Sequence, residues 1–236
     1  MIDSKQPPTS NLQLPTVSEL FAARFCLPNF SKYFMAKLLV LFAHPALEKS
    51  RVHSRLIHHI RKLDGLTFHD LYEEYPDFDI DIKKEQQLLL EHDVIVWQHP
   101  FYWYSCPAIV KQWEDLVLEH GWAYGSKGKM LAGKKILNAI SSGGSREAYT
   151  EGGRNRFTIR QLLAPFEQTA VLCRMNYLPP YVLHGTFRLN TADIEMMAIQ
   201  YEQLLAALIH DRIDEDMWKN ATYLNELYPI PKTVQS

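Results

Sequence analysis

Asp93-Val94-Ile95-Val96-Trp97-Gln98-His99-Pro100-Phe101-Tyr102-Trp103-Tyr104 is the stretch on which the fold of this chain turns. Its first half, DVIVWQ, is a short apolar run of the kind that fills a buried strand. Its second half stops that strand with His-Pro and sets four aromatic residues in one loop. Working back from it, Lys37 to Ala43 (KLLVLFA) repeats the buried-strand pattern, and Ser50 to Lys62 has helical spacing with Val52, Leu56, Ile57 and Ile60 on one side. Leu66 to Leu71 reads as a second strand, and Lys83 to Glu91, after Asp79-Ile80-Asp81-Ile82, as a helix. Working forward, Pro107 can start a helix through Ile109, Val110, Trp113 and Val117, where its missing N–H costs little. A fourth strand is predicted over Lys135 to Ile140, helices over Asn155 to Phe166 and Asp193 to Ile209, and a fifth strand near Ala170 to Arg174. Strands alternating with helices predict an α/β three-layer sandwich around a five-stranded parallel sheet. The expected strand order is 2-1-3-4-5.

The chain's 236 residues, 47% of them hydrophobic, suffice for one domain, expected over residues 36–211. No apolar stretch approaches the roughly 20 residues of a spanning helix. Twenty-five basic and 27 acidic residues, without long single-sign blocks, give a formal charge of −2 and argue against nucleic acid as a partner. Cys26, Cys106 and Cys173 form neither a CxxC pair nor a metal-ligand spacing, so no metal is expected and a reduced cytoplasm is the simpler setting. Residues 1–35 read as an N-terminal extension broken by Pro7-Pro8, Pro15 and Pro28, without the features of a secretory signal and with a short helix across Val17 to Phe25. With Met35 immediately before the first strand, that segment is either a gene-start artefact or an arm that caps a dimer or contacts a partner. Residues 212–236 are expected to form a partly ordered tail.

Three clusters stand just past three of the apolar runs: Ala43-His44-Pro45 leading to Ser50-Arg51, His99 to Tyr104, and Ser141-Ser142-Gly143-Gly144 with Tyr149. In an open parallel sheet ligands bind outside the carboxyl ends of the strands, where the strand order reverses, so the three should converge. Ser50-Arg51-Val52 opens the first helix, whose N–H groups suit a phosphate, with His44 as a further donor. Equally, Ser50 serves as a helix N-cap and His44 as a packed loop residue. The absence of a Walker lysine motif and of G-x-G-x-x-G disfavours ATP or a Rossmann-type dinucleotide. Four aromatic side chains cannot all enter the core from one loop, so some should form a flat apolar wall. An isoalloxazine ring suits such a wall, with the loop's N–H groups tuning it; packing under Pro107 is the alternative. Gly143-Gly144 permits close backbone approach, Ser141 and Ser142 add hydroxyls, and Tyr149 is placed either to reach back over the site or on the surface. Cys106 reads as a small buried residue rather than a redox thiol.

Gln98 to Ala108 (QHPFYWYSCPA), His120-Gly121-Trp122-Ala123-Tyr124-Gly125 and Ser141-Ser142-Gly143-Gly144 resemble the NAD(P)H:quinone oxidoreductase family of flavodoxin-like proteins. Asp70-Leu71-Tyr72, Tyr75-Pro76-Asp77-Phe78, Ile80-Asp81-Ile82 and Tyr177-Leu178-Pro179-Pro180 bring the likeness closest to the ancillary subunits of glutathione-gated Kef potassium-efflux systems. The resemblance covers residues 36 to 210 and implies bound flavin, FMN in bacterial members and FAD in animal enzymes. It implies a ping-pong cycle carrying hydride from NAD(P)H to a quinone or similar aromatic acceptor. It assigns the phosphate and ribityl chain to His44 and to Ser50, Arg51, Val52 and His53, the ring to Pro100, Phe101, Tyr102 and Trp103, and the pyrimidine edge to Ser141, Ser142, Gly143 and Gly144. Tyr149 matches a tyrosine that steadies charge on reduced flavin, and Trp122 and Tyr124 match aromatics that roof the partner's site in a homodimer. The alternative it implies is a regulatory subunit that activates a membrane antiporter and sits peripherally at the inner membrane. Two positions depart from the pattern: His53 stands where the family often has Asn, and Asn155 stands six residues after Tyr149 where the animal enzymes have His. No histidine partner for Tyr149 is legible in the sequence; Arg154 and Arg156 are nearby cations that also suit a solvated surface.

Overall fold

In a computed structural model, the structure describes residues 35–229. The N-terminal extension, the helix expected over Val17 to Phe25, and Cys26 lie outside the described residues, as do residues 230–236. The sheet contains β1 (Leu38–Phe42), β2 (Leu66–Asp70), β3 (Val94–Pro100), β4 (Lys135–Ser141) and two short segments, β5 (Asn176–Tyr177) and β6 (Tyr181–Leu183). Its order is β2-β1-β3-β4-β5, with β6 also paired to β4, and all pairings are parallel. This is the expected order. The helices are α1 (Arg51–Ile60), α2 (Leu71–Glu74), α3 (Ile82–Glu91), α4 (Ala108–Val117), α5 (Ile159–Leu162), α6 (Ala164–Leu172), α7 (Thr191–Ile209) and α8 (Glu215–Lys219).

Because side chains alternate along a strand, each central strand feeds two cores. Leu38, Val40, Phe42, Val94, Val96 and Leu137 face Leu56 and Ile60 of α1 and Leu204 and Leu208 of α7. Leu39, Leu41, Ile95, Trp97 and Ile136 face Leu89 of α3, Trp113 and Val117 of α4, and Phe166 of α6. Each fully buried side chain of this size contributes about 1.5–3 kcal/mol over exposure. Leu56 is completely buried on the apolar side of α1, so Leu56→Ala would open a cavity costing roughly 2–5 kcal/mol.

Two elements differ from the sequence expectation. The run Ala170 to Arg174 is not the fifth strand: its first part is the end of α6, with Val171 and Leu172 more than half exposed. The apolar letters there mark neither burial nor alternation. Instead of one helix over Asn155 to Phe166, a loop leads to Thr158, whose capping box with Gln161 starts the short α5. Pro165 then opens α6, where a proline needs no N–H partner. The real fifth strand is split by Pro179-Pro180, which lack N–H donors, although Leu178 N–H still reaches Ile136 O at 2.8 Å.

Beyond α7 the chain returns across the sheet edge. Leu224 N–H donates to Pro180 O at 3.0 Å. The Asn225 side chain accepts from Val182 N–H at 2.9 Å and donates to Val182 O at 3.2 Å. Gln200 of α7 ties this strap down by donating to Asn225 O at 3.1 Å and to Tyr228 O. Leu224 is fully buried.

Candidate functional site

The first loop leaves β1 after Ala43, whose N–H extends the ladder to Gln98 O at 3.0 Å. His44 Nδ1 accepts from Ala46 N–H at 3.1 Å, so the proton of its neutral ring sits on Nε2. Burial lowers its pKa. Ser50 Oγ accepts from His53 N–H at 3.1 Å and caps α1. The N–H groups of Arg51 and Val52 precede the first intrahelical bond, and no acidic residue occupies that turn. The helix start is therefore electropositive, although Glu48 just upstream is close enough to act on His44. The Val52 side chain is buried in the core, so only its backbone faces this task. Arg51 Nη2 donates to Leu189 O at 3.0 Å.

The second loop is a strained aromatic turn. Phe101 N–H donates to Ser141 O at 2.8 Å, binding the loop to the end of β4, and Ser105 N–H closes on Tyr102 O at 2.9 Å. Between them Trp103 and Tyr104 both adopt left-handed backbone, with φ of 49° and 64°. Such a conformation costs an L-residue on the order of 1–2 kcal/mol, and strain of this kind collects at functional sites. The turn leaves Trp103 93% exposed and Tyr102 and Tyr104 about half exposed, whereas Phe101 is buried. The Tyr102 ring lies 6.2 Å from that of His44, which joins the first two loops.

The third loop follows β4. Ser142 is buried; its hydroxyl donates to Gly144 O at 3.1 Å and its N–H to Leu183 O at 2.8 Å. Gly185 and Thr186 donate back to Gly144 O and Ser142 O. A Cβ on Gly143 would fall 2.3 Å from Phe187 Cε2, and one on Gly144 would fall 2.9 Å from Tyr149 Cε2. Tyr149 ends a 3-10 turn (Arg146–Tyr149) and is buried, its ring edge-on to Phe101 at 5.9 Å. It is thus packed into the core rather than on the surface.

His184 also meets Tyr149, with ring centroids 6.0 Å apart, and on its other side it meets Tyr223 at 5.7 Å. Both of its ring nitrogens are buried without a hydrogen-bond partner. Burial, helped by Arg146, pushes its pKa down to about 4, so the ring is neutral at physiological pH. Sequence reasoning missed His184 and Phe187 because both come from the far side of the split fifth strand. The dipeptide pair His184-Gly185-Thr186-Phe187, just past a short apolar run, was the available signal.

Beneath the loops, two polar chains run through the sheet, one on each face. On the α4/α6 side His99, its pKa pushed down to about 4 by burial, donates from Nδ1 to Pro100 O at 3.0 Å. Its Nε2 accepts from Asn138 at 3.2 Å, and Asn138 Oδ1 accepts from Tyr177 OH at 2.6 Å. On the α1/α7 side the buried His53 lies 2.8 Å from Ser141 Oγ and 3.4 Å from Gln98 Nε2. Burial holds its pKa well below the ordinary value.

His44, Ser50, His53, Pro100, Phe101, Tyr102, Ser141, Gly144 and Tyr149 are therefore brought to one end of the sheet. Trp122 and Tyr124 are not joined to them within the chain. They lie on the turn after α4, where Gly121 N–H donates to Tyr124 O at 2.8 Å, and pack on the α4/α6 core. Tyr124 borders a recess of about 460 Å³ with Cys106, Glu114 and Cys173. Another recess, of about 410 Å³, lies at the β2 edge beside Arg61 and Asp70. Neither coincides with the meeting point of the three loops. Among the described residues no group of three His, Cys, Asp or Glu side chains is placed to hold a metal, and no helix is long and apolar enough to cross a membrane.

A doubly wound parallel sheet with a helix start, an aromatic turn and a Gly-Gly loop at the carboxyl ends of its strands defines a flavodoxin-like protein. The chain belongs to that family: the model of flavodoxin-like fold matches residues 36–205. The glutathione-regulated potassium-efflux system ancillary protein KefG of Pectobacterium carotovorum subsp. carotovorum is 46% identical over 171 residues, covering 72% of this chain and 93% of that protein. The crystal structure of general stress protein 14 from Treponema denticola, in complex with FMN, is 42% identical with a TM-score of 0.70, covering 73% of this chain and 99% of the other. An NADPH-quinone reductase from P. pentosaceus is 33% identical with a TM-score of 0.65, covering 71% and 96%.

Proposed function

We propose that this protein is an FMN-dependent NAD(P)H:quinone oxidoreductase with a ping-pong cycle. One observation carries the reading: a helix start with no acidic residue in its first turn, a strained aromatic turn and a side-chain-free Gly-Gly loop meet at one sheet end, in a chain 42% identical to a protein solved with FMN. The donor set fits that cofactor. The N–H groups of Arg51 and Val52 and the His44 Nε2–H suit a phosphate, and Tyr102 and Trp103 suit a flat ring. When bound, FMN supplies two-electron chemistry, accepting a hydride from NAD(P)H and passing it to a quinone.

The protein's own part is to bind, orient and exclude water. Phe101, Tyr149 and the loop ties to β4 hold the wall rigid, which lowers the entropic cost of aligning two planar reactants in turn. Tyr149 offers its hydroxyl where negative charge develops, and neutral His184 behind it adds no competing cation. Trp122 and Tyr124, which pack away from the three loops within one chain, roof the site of a second copy in this reading. The experiment is to identify any cofactor released from purified protein and then vary NADH or NADPH against a quinone. Bound FMN with parallel initial-velocity lines is expected. Failure to bind FMN overturns the reading, and intersecting lines overturn the ping-pong cycle.

A second reading rests on the 46% identity to KefG: the protein binds a potassium/proton antiporter on the cytoplasmic side of the membrane and activates it, with turnover secondary. Potassium efflux measured with and without the protein, beside quinone reduction, separates the two roles.

A further inference from the structure

We infer that Tyr201, Gln98 and His53 form a one-way hydrogen-bond relay that fixes the Ser141 hydroxyl as a donor facing the crevice. This inference rests on the flavin reading and names positioning residues for it.

Tyr201, on α7, is completely buried and stacks on Tyr181 with centroids 4.9 Å apart. Its hydroxyl lies 3.0 Å from Gln98 Oε1. A buried phenol O–H without an acceptor is strongly disfavoured, so Tyr201 donates and Gln98 turns its carbonyl oxygen toward it. The Gln98 amide nitrogen then faces His53 Nδ1 at 3.4 Å. An amide NH2 can only donate, so Nδ1 must accept and the single proton of the neutral imidazole must sit on Nε2. Burial, reinforced by the neighbouring His44 and His99, keeps that ring neutral. Nε2–H therefore donates to Ser141 Oγ at 2.8 Å. With its oxygen engaged as acceptor, Ser141 has its own hydrogen left to give, and it stands half-buried at the carboxyl end of β4, at the floor of the crevice.

The consequence is chemical selection. A phenol on a helix behind the sheet, far in sequence from all three loops, decides that Ser141 greets an acceptor atom of the ligand. Flavin presents such atoms in its phosphate, ribityl and ring carbonyl oxygens. His53, which replaces the family's Asn, acts from below through Ser141.

The test uses the full chain labelled with 15N-histidine. Long-range nitrogen–proton spectra of the flavin-free protein, with the His53 signals assigned by their loss in His53→Asn, report the tautomer directly. A ring protonated at Nε2 with a bare Nδ1 is expected; protonation at Nδ1, or at both nitrogens, near neutral pH overturns the relay. FMN titrations then follow flavin fluorescence. Ser141→Ala should weaken binding about tenfold, the worth of one good hydrogen bond. Tyr201→Phe should weaken it several-fold alone and not at all in the Ser141→Ala background. An equal loss in both backgrounds would show that Tyr201 acts only through packing and would overturn the inference. If the wild type binds no FMN, the proposed function fails, and the tautomer still decides whether the relay exists.

Discussion

Two adjacent glycines offer a sharp comparison. A Cβ on Gly144 would stand 2.9 Å from Tyr149 Cε2, roughly half an ångström inside the closest favourable carbon–carbon contact. Tyr149 is buried between Phe101 and His184, so its ring has no free direction in which to retreat. A Cβ on Gly143 would overlap Phe187 more severely, at 2.3 Å, but that side chain is 88% exposed and can swing into solvent. Neither glycine has a positive φ, so alanine is not penalised by the backbone at either place. Gly144→Ala should therefore cost about 1–3 kcal/mol as overpacking, lowering the melting temperature by roughly 2–12 °C for a chain of this size. Gly143→Ala should melt within about 2 °C of wild type. Thermal melts followed by circular dichroism, with FMN affinity measured alongside, check the pair. If Gly144→Ala melts with the wild type, or Gly143→Ala costs as much, the packing around Tyr149 is not as rigid as argued.

Glu85 is completely buried and accepts from Tyr75 OH at 2.6 Å, Trp113 Nε1 at 2.8 Å and His69 Nε2 at 2.7 Å. Burial alone would raise its pKa, but these donors together hold it below the ordinary 4.5. Its stabilisation is thus complete above that ordinary value and is lost as pH falls through the folded one. Glu85→Gln, which turns an NH2 toward a donor, should lose about 2–4 kcal/mol at pH 7 and show a flatter acid limb in urea titrations; an unchanged limb would refute the assignment. Trp103→Ala should leave stability within about 0.5 kcal/mol while weakening FMN binding about tenfold, and equal affinity in fluorescence titration would remove Trp103 from the wall. Burial pushes the Cys106 and Cys173 thiols up to about 11. In a Cys26→Ser background both should therefore react with a thiol reagent at pH 8 about two orders of magnitude more slowly than an exposed cysteine.

The central strands and their helices could be read from the letters because burial on both faces leaves a nearly continuous apolar run, unbroken through the core of β1 and β3 and interrupted in β4 by Asn138. The convergence of three loops also followed from topology, since parallel strands send their carboxyl ends to the same side. What could not be read is what depends on long-range packing. The fifth strand is five residues in two pieces around Pro179-Pro180, too short to show alternation, and the apolar run before it was helical with exposed Val171 and Leu172. His184 and Phe187 were hidden by that misplacement. His53 was legible as a helix-start residue, but its burial beneath Ser141 depends on Gln98 and Tyr201, 45 and 148 positions further along the chain.

The Asn225 side chain engages both the N–H and the C=O of Val182, which is what a neighbouring strand would do. One amide thus helps to close a border where the ladder would otherwise remain available as a template. A sheet whose margin is covered by one side-chain amide and one backbone N–H gains protection against adding foreign strands without having to grow by a whole element. That protection is shared among Gln200, buried Leu224 and the Arg146–Glu226 pair, so the guard over the margin does not rest on any one of them.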